Sequence, residues 1–458
     1  METFRWRLKV PFIFGFAIAF LLVSAPSASG ESWKAGVSVA KITPESSMWM
    51  AGYAARNKPS EGTAQDLFAK ALALEDAAGS RMVVVTVDLI GIPRTLRKSI
   101  ESRARQHFKL PPENLLLNAS HTHCGPEFRV AGTPGDDAFS RDGQANLYGR
   151  KLEETLHKLI GESIATLQTA TITRSFARCG FAMNRRLPVG NDFRNSPHPE
   201  GPVDHEVPVL KVSSADGKPR AILFGYACHN TTLGFYQFCG DYAGYAQEFL
   251  QADHGGAVAL FLTGCGGDQN PYPRGTLDLA KAHGRTLATA VNAALGNTMR
   301  PLGGTIRCAL AEVDLPYGPL PTREQLKSRL GSKDQYEARH AGRLLEKLEK
   351  GETVPSSYPY PVQAIRLGGD DIIIALGGEV VVDYALNFKK DFPPGRLWVA
   401  GYSNDVMGYI PSRRVLKEGG YEGGGAMRFS SSHPGPWDES VEDKISNKVR
   451  DLMTLVKP

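Results

Sequence analysis

Along the chain, short apolar runs end repeatedly on a polar or charged side chain. Met82-Val83-Val84-Val85-Thr86-Val87 stops at Asp88, Leu115-Leu116-Leu117 at Asn118 with His121 and His123 beyond, and Ala221 to Cys228 at His229. The run from Ala257 to Leu262 leads into Gly264-Cys265-Gly266-Gly267-Asp268, and that from Asp371 to Leu376 into Gly377-Gly378-Glu379. Leu397 to Ala400 leads into Gly401-Tyr402-Ser403-Asn404-Asp405 and on to Tyr409. Continuous apolar runs of this length predict strands buried on both faces, with helices packed on both sides. Further strands are predicted over 33–42, 68–75 and 207–212. Helical spacing predicts helices over 93–108, 147–167, 242–252, 277–294 and 441–456, the first opened by Pro93. The charged stretch 322–350 reads as a helical surface excursion, and 180–201, rich in Pro, Asn and Arg, as a loop. The class expected is α/β: a mixed, largely buried sheet flanked by helices, with the active site at the carboxyl ends of the strands.

The segment Ser120-His121-Thr122-His123-Cys124-Gly125-Pro126 carries the most chemistry. In an extended segment residues two apart project to one side, so His121 and His123 can face one cavity. Two imidazoles placed in this way suit a metal site or a proton-transfer pair, and equally two separate structural histidines. The glycines at Gly264, Gly266 and Gly267 permit tight turns or close backbone approach. They lack the spacing of a nucleotide loop, and no Lys-Ser or Lys-Thr follows, so no nucleotide is expected.

Composition narrows the class. With 458 residues, 42% hydrophobic and 22% charged, the chain has the make-up of a folded globular protein. Residues 1–30 differ: Arg5, Arg7 and Lys9 precede an apolar run from Val10 to Ala25, then Ser27-Ala28-Ser29-Gly30. That is the pattern of a cleaved signal peptide, which predicts an exported protein, periplasmic or secreted, with one domain over 31–458. Removal of that leader, with its three bases and one acid, lowers the net charge from +5 to +3. So small and scattered an excess argues against a nucleic-acid partner. The six cysteines are even in number, which permits disulfides in an exported chain, and no Cys-x-x-Cys pair suggests a zinc ribbon.

Five motifs in fixed order resemble the catalytic domain of the neutral/alkaline, non-lysosomal ceramidases. They are Ser-His-Thr-His-Cys-Gly-Pro from Ser120, Ala-Cys-His-Asn-Thr-Thr from Ala227, Gly-Gly-Asp-Gln-Asn-Pro from Gly266, Gly-Gly-Glu from Gly377, and Gly-Tyr-Ser-Asn from Gly401 followed by Gly-Tyr-Ile from Gly408. The resemblance runs from about Ala35 to about Glu422. It implies a Zn2+ hydrolase that cleaves the N-acyl amide of ceramide to fatty acid and sphingoid base through a zinc-bound hydroxide. It implies His121, His229, Glu379 and Tyr409 as metal ligands, His123 beside the metal, and Arg185 and Asn404 as substrate-binding residues. The implied partner is a lipid-like acyl amide, with peripheral contact to a membrane.

The chemistry is coherent: zinc accepts imidazole and carboxylate ligands and lowers the pKa of bound water to about 7. His123 would protonate the leaving amine, and Arg185 or Tyr409 would stabilise the oxyanion. Asp88 and Asp268 are expected to orient loops rather than to bind metal. His107, His157, His254, His283 and His340 read as structural.

Two departures from the family pattern stand out. Asn270 occupies the catalytic position where the family has a proposed serine nucleophile, and an amide cannot be acylated in that way. The family's carboxyl-terminal β-sandwich is also expected to be missing. Two other readings therefore remain: a zinc hydrolase of a different amide or ester, and a non-catalytic binding protein on the same scaffold.

Overall fold

The computed structural model describes residues 1–3, 33–130, 143–430 and 433–457; the expected leader lies outside them. Contacts divide the chain into Met1–Gly30 and Glu31–Pro458, and the elements that follow all belong to the second unit. Strands β1 (Trp33–Lys41), β2 (Phe68–Glu75) and β3 (Arg81–Val87) lead through helix α1 (Arg94–Phe108) to β4 (Leu115–Ala119) and α2 (Gly143–Ala165). Next come β5 (Gln168–Arg178), β6 (Ala182–Val189), β7 (Asp192–His198), β8 (Glu206–Ser214), β9 (Pro219–Tyr226), α3 (Asp241–Asp253), β10 (Val258–Thr263), β11 (Gln269–Pro271), α4 (Leu277–Gly296) and β12 (Arg300–Pro301). The last third holds β13 (Ile306–Pro316), α5 (Arg323–Arg329), α6 (Gln335–Glu349), β14 (Ser357–Leu367), β15 (Ile372–Leu376), β16 (Glu379–Val380), α7 (Val382–Lys389), β17 (Leu397–Ala400), β18 (Tyr409–Ile410), α8 (Arg413–Glu418) and α9 (Val441–Leu455).

Two mixed sheets face each other. The larger runs β10-β9-β8-β5-β1-β2-β3-β4 with β12 on β5, and the smaller runs β13-β14-β15-β17. Alternation along each strand divides its side chains between two cores. Val83, Val85 and Val87 of β3 point into a cluster with Leu96 and Ile100 of α1 and Leu156 and Ile160 of α2. Met82 and Val84 point the other way, into a cluster shared with Ile365, Ile373, Ala375 and Trp398 of the smaller sheet. Ile372, Ile374 and Leu376 then pack against Tyr384 of α7 and Ile445, Val449 and Leu452 of α9. The expected mixed α/β class holds, with one refinement. Helices cover only the outer face of each sheet, and the inner faces cover one another. A strand between a helix layer and a second sheet is as apolar on both faces as one between two helix layers, so sequence cannot separate the two.

Three parallel pairs, β3/β4, β9/β10 and β15/β17, are each joined through a helix, as parallel neighbours require. The loops leaving these strands at their carboxyl ends carry every chemical motif singled out above. The stretch 180–201 is a hairpin, β6–β7, rather than a loop. Its strand β6 buries Asn184, Arg185 and Arg186, so polar pairing rather than apolar alternation holds it in place. The charged excursion forms α5 and α6 around a small core of Leu326, Ala341, Leu344 and Leu345. Among the described residues, no helix is long and apolar enough to cross a membrane.

Candidate metal centre

His121 leaves β4 with φ of +60°, a left-handed conformation uncommon outside glycine, and its N–H bonds the Leu89 carbonyl at 3.0 Å. This bend turns its ring toward His229, which follows β9. The rings of His121 and His229 lie 4.9 Å apart, nearly perpendicular. His121 Nδ1 is 2.6 Å from the Ile90 carbonyl, and His229 Nδ1 is 2.6 Å from the Gly266 carbonyl. A carbonyl only accepts, so each Nδ1 carries a proton, and in the neutral ring each Nε2 presents a bare lone pair.

Both lone pairs converge on one carboxylate. Glu379 Oε2 lies 3.1 Å from His229 Nε2 and 3.3 Å from His121 Nε2. The Tyr409 hydroxyl is 3.2 Å from His229 Nε2, and His123 Nε2 is 3.1 Å from His121 Nε2. Glu379 and Tyr409 reach the cluster together because they are opposed in the parallel pair β16–β18. Glu379 therefore sits in a short strand before α7, not in the first turn of a helix. Nitrogen lone pairs and a carboxylate oxygen facing one another at this range repel unless a proton or a metal cation lies between them. The donor set of imidazole nitrogens, carboxylate and phenol is one that zinc accepts, and among the described residues His121, His123 and His229 satisfy the spacing of a metal-holding group. The residues present thus fit the implied ion.

The surrounding fields agree with a site built for a cation. Burial alone would raise the Glu379 carboxyl, but positive charge at His121 and His229, where a bound cation would supply it, outweighs burial and holds the carboxyl well below the usual carboxylate range. Burial, reinforced by Arg185, lowers His229 to about 4, and burial with His121 and His229 lowers His123 well below the ordinary imidazole value. Burial raises the Tyr409 hydroxyl well above the ordinary phenol value, against the pull of Arg185.

Arg185 organises the far side. Its Nη2 donates to the Tyr409 hydroxyl at 2.9 Å, its Nη1 to Asn270 Oδ1 at 3.2 Å, and its Nε to Glu422 Oε1 at 2.8 Å. Tyr409 and Glu422 outweigh the cost of burial and hold this guanidinium above its ordinary value. Asn270 is fully buried: its Oδ1 accepts from Arg185 and Thr231, and its Nδ2 donates to Asn195 at 3.1 Å and to the Tyr272 hydroxyl at 3.4 Å. Asn270 therefore positions Arg185 beside the Tyr409 hydroxyl.

Asn404 does not join the centre. Its Oδ1 accepts from Arg97 at 2.6 Å and from the Leu117 N–H at 3.1 Å, while its Nδ2 donates to Gln363 at 2.8 Å. These bonds pin the loop after β17 to the interior. Asp268 accepts from Val382 N–H at 2.8 Å and from Asn184 Nδ2 at 3.1 Å, and orients the loops that carry Arg185 and Glu379. Asp88 accepts from Phe68 N–H at 3.0 Å, away from the imidazoles.

The glycine run serves the protein's own backbone. A Cβ on Gly266 would stand 2.7 Å from Cys228 N, and one on Gly267 would stand 2.5 Å from the Glu379 carbonyl. Only glycine lets this loop lie against the two segments that deliver His229 and Glu379.

Two contributors carry no sequence expectation. Tyr402, with φ of +49°, places its ring 4.5 Å from that of His121 and its hydroxyl 3.3 Å from His229 Nδ1. Its place between the motif residues Gly401 and Ser403 was the available signal. Glu422 binds Arg185 and also Arg186, the latter at 2.7 Å, from a glycine-rich segment with no periodic pattern to mark it.

Beside Glu379 and Tyr409 opens a cleft of about 220 Å³ whose walls include Met407, Tyr421, Met427 and Phe429.

Residues 33–138 match the family model described as neutral/alkaline non-lysosomal ceramidase, N-terminal. The chain is 24% identical over 288 residues to neutral ceramidase B of Dictyostelium discoideum, covering 58% of this chain and 39% of that protein. It is 23% identical over 270 residues to neutral ceramidase of Pseudomonas aeruginosa, covering 55% and 39%. The matches thus span about two fifths of the length of these curated relatives. The crystal structure of neutral ceramidase from Pseudomonas aeruginosa superposes with a TM-score of 0.71 at 18% identity, over 92% of this chain and 74% of that one. A structure of ceramidase complexed with C2 gives 0.71 at 18%, over 92% and 75%. At this identity the structural likeness establishes the fold.

Proposed function

We propose that this chain, whose residues 33–138 match the neutral/alkaline non-lysosomal ceramidase family model, hydrolyses an N-acyl amide bond of a lipid-like substrate, ceramide being the first candidate, with a zinc ion held by His121, His229, Glu379 and Tyr409. The observation that carries this reading is the pair of backbone carbonyls, Ile90 and Gly266, that fix both histidine tautomers. They aim two Nε2 lone pairs at one carboxylate oxygen, an arrangement that makes chemical sense around a divalent cation.

When bound, the ion would polarise the substrate carbonyl and bring the pKa of water close to 7. The chain's own residues supply the remainder. His123 stands beside His121 and is placed to take a proton from the attacking water and hand it to the leaving nitrogen. The Tyr409 hydroxyl, held by Arg185, is placed to donate to the developing oxyanion. The bonds that fix Asn270 leave no group to be acylated, which favours direct attack by water over a covalent intermediate. The methionine and aromatic walls of the adjoining cleft suit an acyl chain.

Hydrolysis of a ceramide and of a panel of acylated amines and esters tests the substrate class. Chelation should abolish turnover and zinc should restore it. Full turnover in His121→Ala would sink the mechanism. The basic, apolar and small-residue order of residues 1–30 supports export from the cytoplasm with loss of that segment.

A further inference from the structure

At the opposite ends of β15 and β17 from the histidines, three arginines surround one carboxylate. Asp371 precedes β15 and Arg396 precedes β17, while Glu379 and Tyr402 follow the same two strands. Arg174 of β5 is paired with Arg300 of β12. Asp371 receives Arg174 Nη1 at 3.2 Å, Arg396 Nη1 at 3.4 Å, and the Nη2 of Arg300. Glu206, a further carboxylate whose field reaches Arg174, is held together with Asp204 by Lys389, at 3.1 and 2.8 Å. Across these seven groups the cations outnumber the carboxylates by one.

Arg174 is the group least provided for. It is 1% exposed, yet its Nε, Nη1 and Nη2 make no hydrogen bond, since the ion pair with Asp371 misses hydrogen-bond geometry. A guanidinium presents five N–H donors in a fixed fork, and burying them without acceptors is costly. The Trp398 ring, 5.7 Å from the Arg174 carbon Cζ, covers it without offering an acceptor. Burial pulls this guanidinium down, and Arg300 adds to that against the attraction of Asp371. Arg300 and Arg396, with side chains 32% and 30% exposed, connect the cluster to solvent.

We infer that Arg174, Arg300 and Arg396 form a binding site for a small oxyanion of the phosphate or sulfate type, separate from the histidine cluster. Guanidinium forks match the oxygens of such an ion bidentately, and the ion would supply both the acceptors Arg174 lacks and the missing negative charge. A water molecule would supply acceptors but leave the charge unbalanced. A phosphate could be free in solution or carried on a lipid headgroup; the site reads as one for the free ion, because Arg174 lies too deep for a headgroup tethered at a surface.

The test is thermal unfolding of the full zinc-loaded chain in rising phosphate, and separately sulfate, with chloride keeping the ionic strength constant. The expected result is a saturable rise in Tm for the native chain. Arg300→Gln and Arg396→Gln, both partly exposed and away from the histidines, should need at least about tenfold more anion for half the effect. Anion bound at the histidine cluster would affect all three proteins alike. No saturable rise, or the same rise in all three, overturns the inference. Arg300-dependent capture by phosphatidic acid vesicles without any response to free phosphate would assign the site to a headgroup and overturn the free-ion reading.

Discussion

Glu379 and Tyr409 stand opposite one another in a two-residue parallel pair, although thirty positions of chain separate them. Their neighbours Val380 and Ile410 are both fully buried, which locks the register and with it the distance of carboxylate and phenol from His229. Shifting this pair by one residue would turn both side chains away from the imidazoles.

Replacing Glu379 by Ala should therefore remove metal as well as turnover. Metal analysis of purified Glu379→Ala should find less zinc than in the native protein, and affinity should fall by more than the roughly 10–100-fold typical of outer partners. Unchanged zinc content would remove Glu379 from the ligand set.

Arg185 acts through geometry as much as charge. Arg185→Lys keeps a cation but cannot reach Tyr409, Asn270 and Glu422 at once. Turnover should drop by about 10²–10³, as for a lost oxyanion donor, with zinc content preserved. Steady-state kinetics beside metal analysis separates the two effects.

Asn270→Ser restores the residue type of the family motif but removes the Arg185 Nη1 acceptor and the bond to Asn195. We expect the native protein to show no burst phase and no acyl adduct by mass spectrometry. The variant should be slower than native by about 10- to 100-fold, the scale of one hydrogen bond to a charged group. An acyl adduct on the native chain would contradict direct attack by water.

Lys70 gives a pH dependence of stability. Its ammonium is buried and donates to Gln247, Gln251 and the Ala259 carbonyl, with Asp88 nearby. Burial lowers it to about 8, against the attraction of Asp88. A folded-state pKa below the unfolded one means that the group's contribution is complete above about pH 10.4 and is lost as pH falls through about 8. The stability of the native protein minus that of Lys70→Met, from denaturant titrations, should rise by about 3 kcal/mol between pH 8 and pH 10.5. A flat difference would mean that Lys70 stays charged without penalty.

Export is checked directly. Expression of the full chain in a bacterium should yield a mature protein whose amino-terminal sequence begins near Glu31, recovered outside the cytoplasm. A cytoplasmic product that retains Met1 would refute it.

The strands that end on chemistry were legible because apolar runs and their polar stops are local facts: β2 spans the predicted Phe68–Glu75, and β4, β9, β10 and β15 lie within a residue or two of their predicted places. The hairpin β6–β7 was hidden because arginines and asparagines hold it through long-range partners such as Glu422 and Asp268. Strands β13 and β14 escaped as well, since prolines interrupt β14 and its partner is half exposed.

By itself the sequence determined which residue types stand at the ends of buried strands, because apolar periodicity and motif order are written in consecutive positions. Tertiary structure decided the rest. It brought His121, His229, Glu379 and Tyr409 within contact, sent Asn404 into the core, and turned Asn270 into a support for Arg185. Those outcomes depend on strand register and on the packing of two sheets, and distances between residues tens of positions or more apart have no local signature.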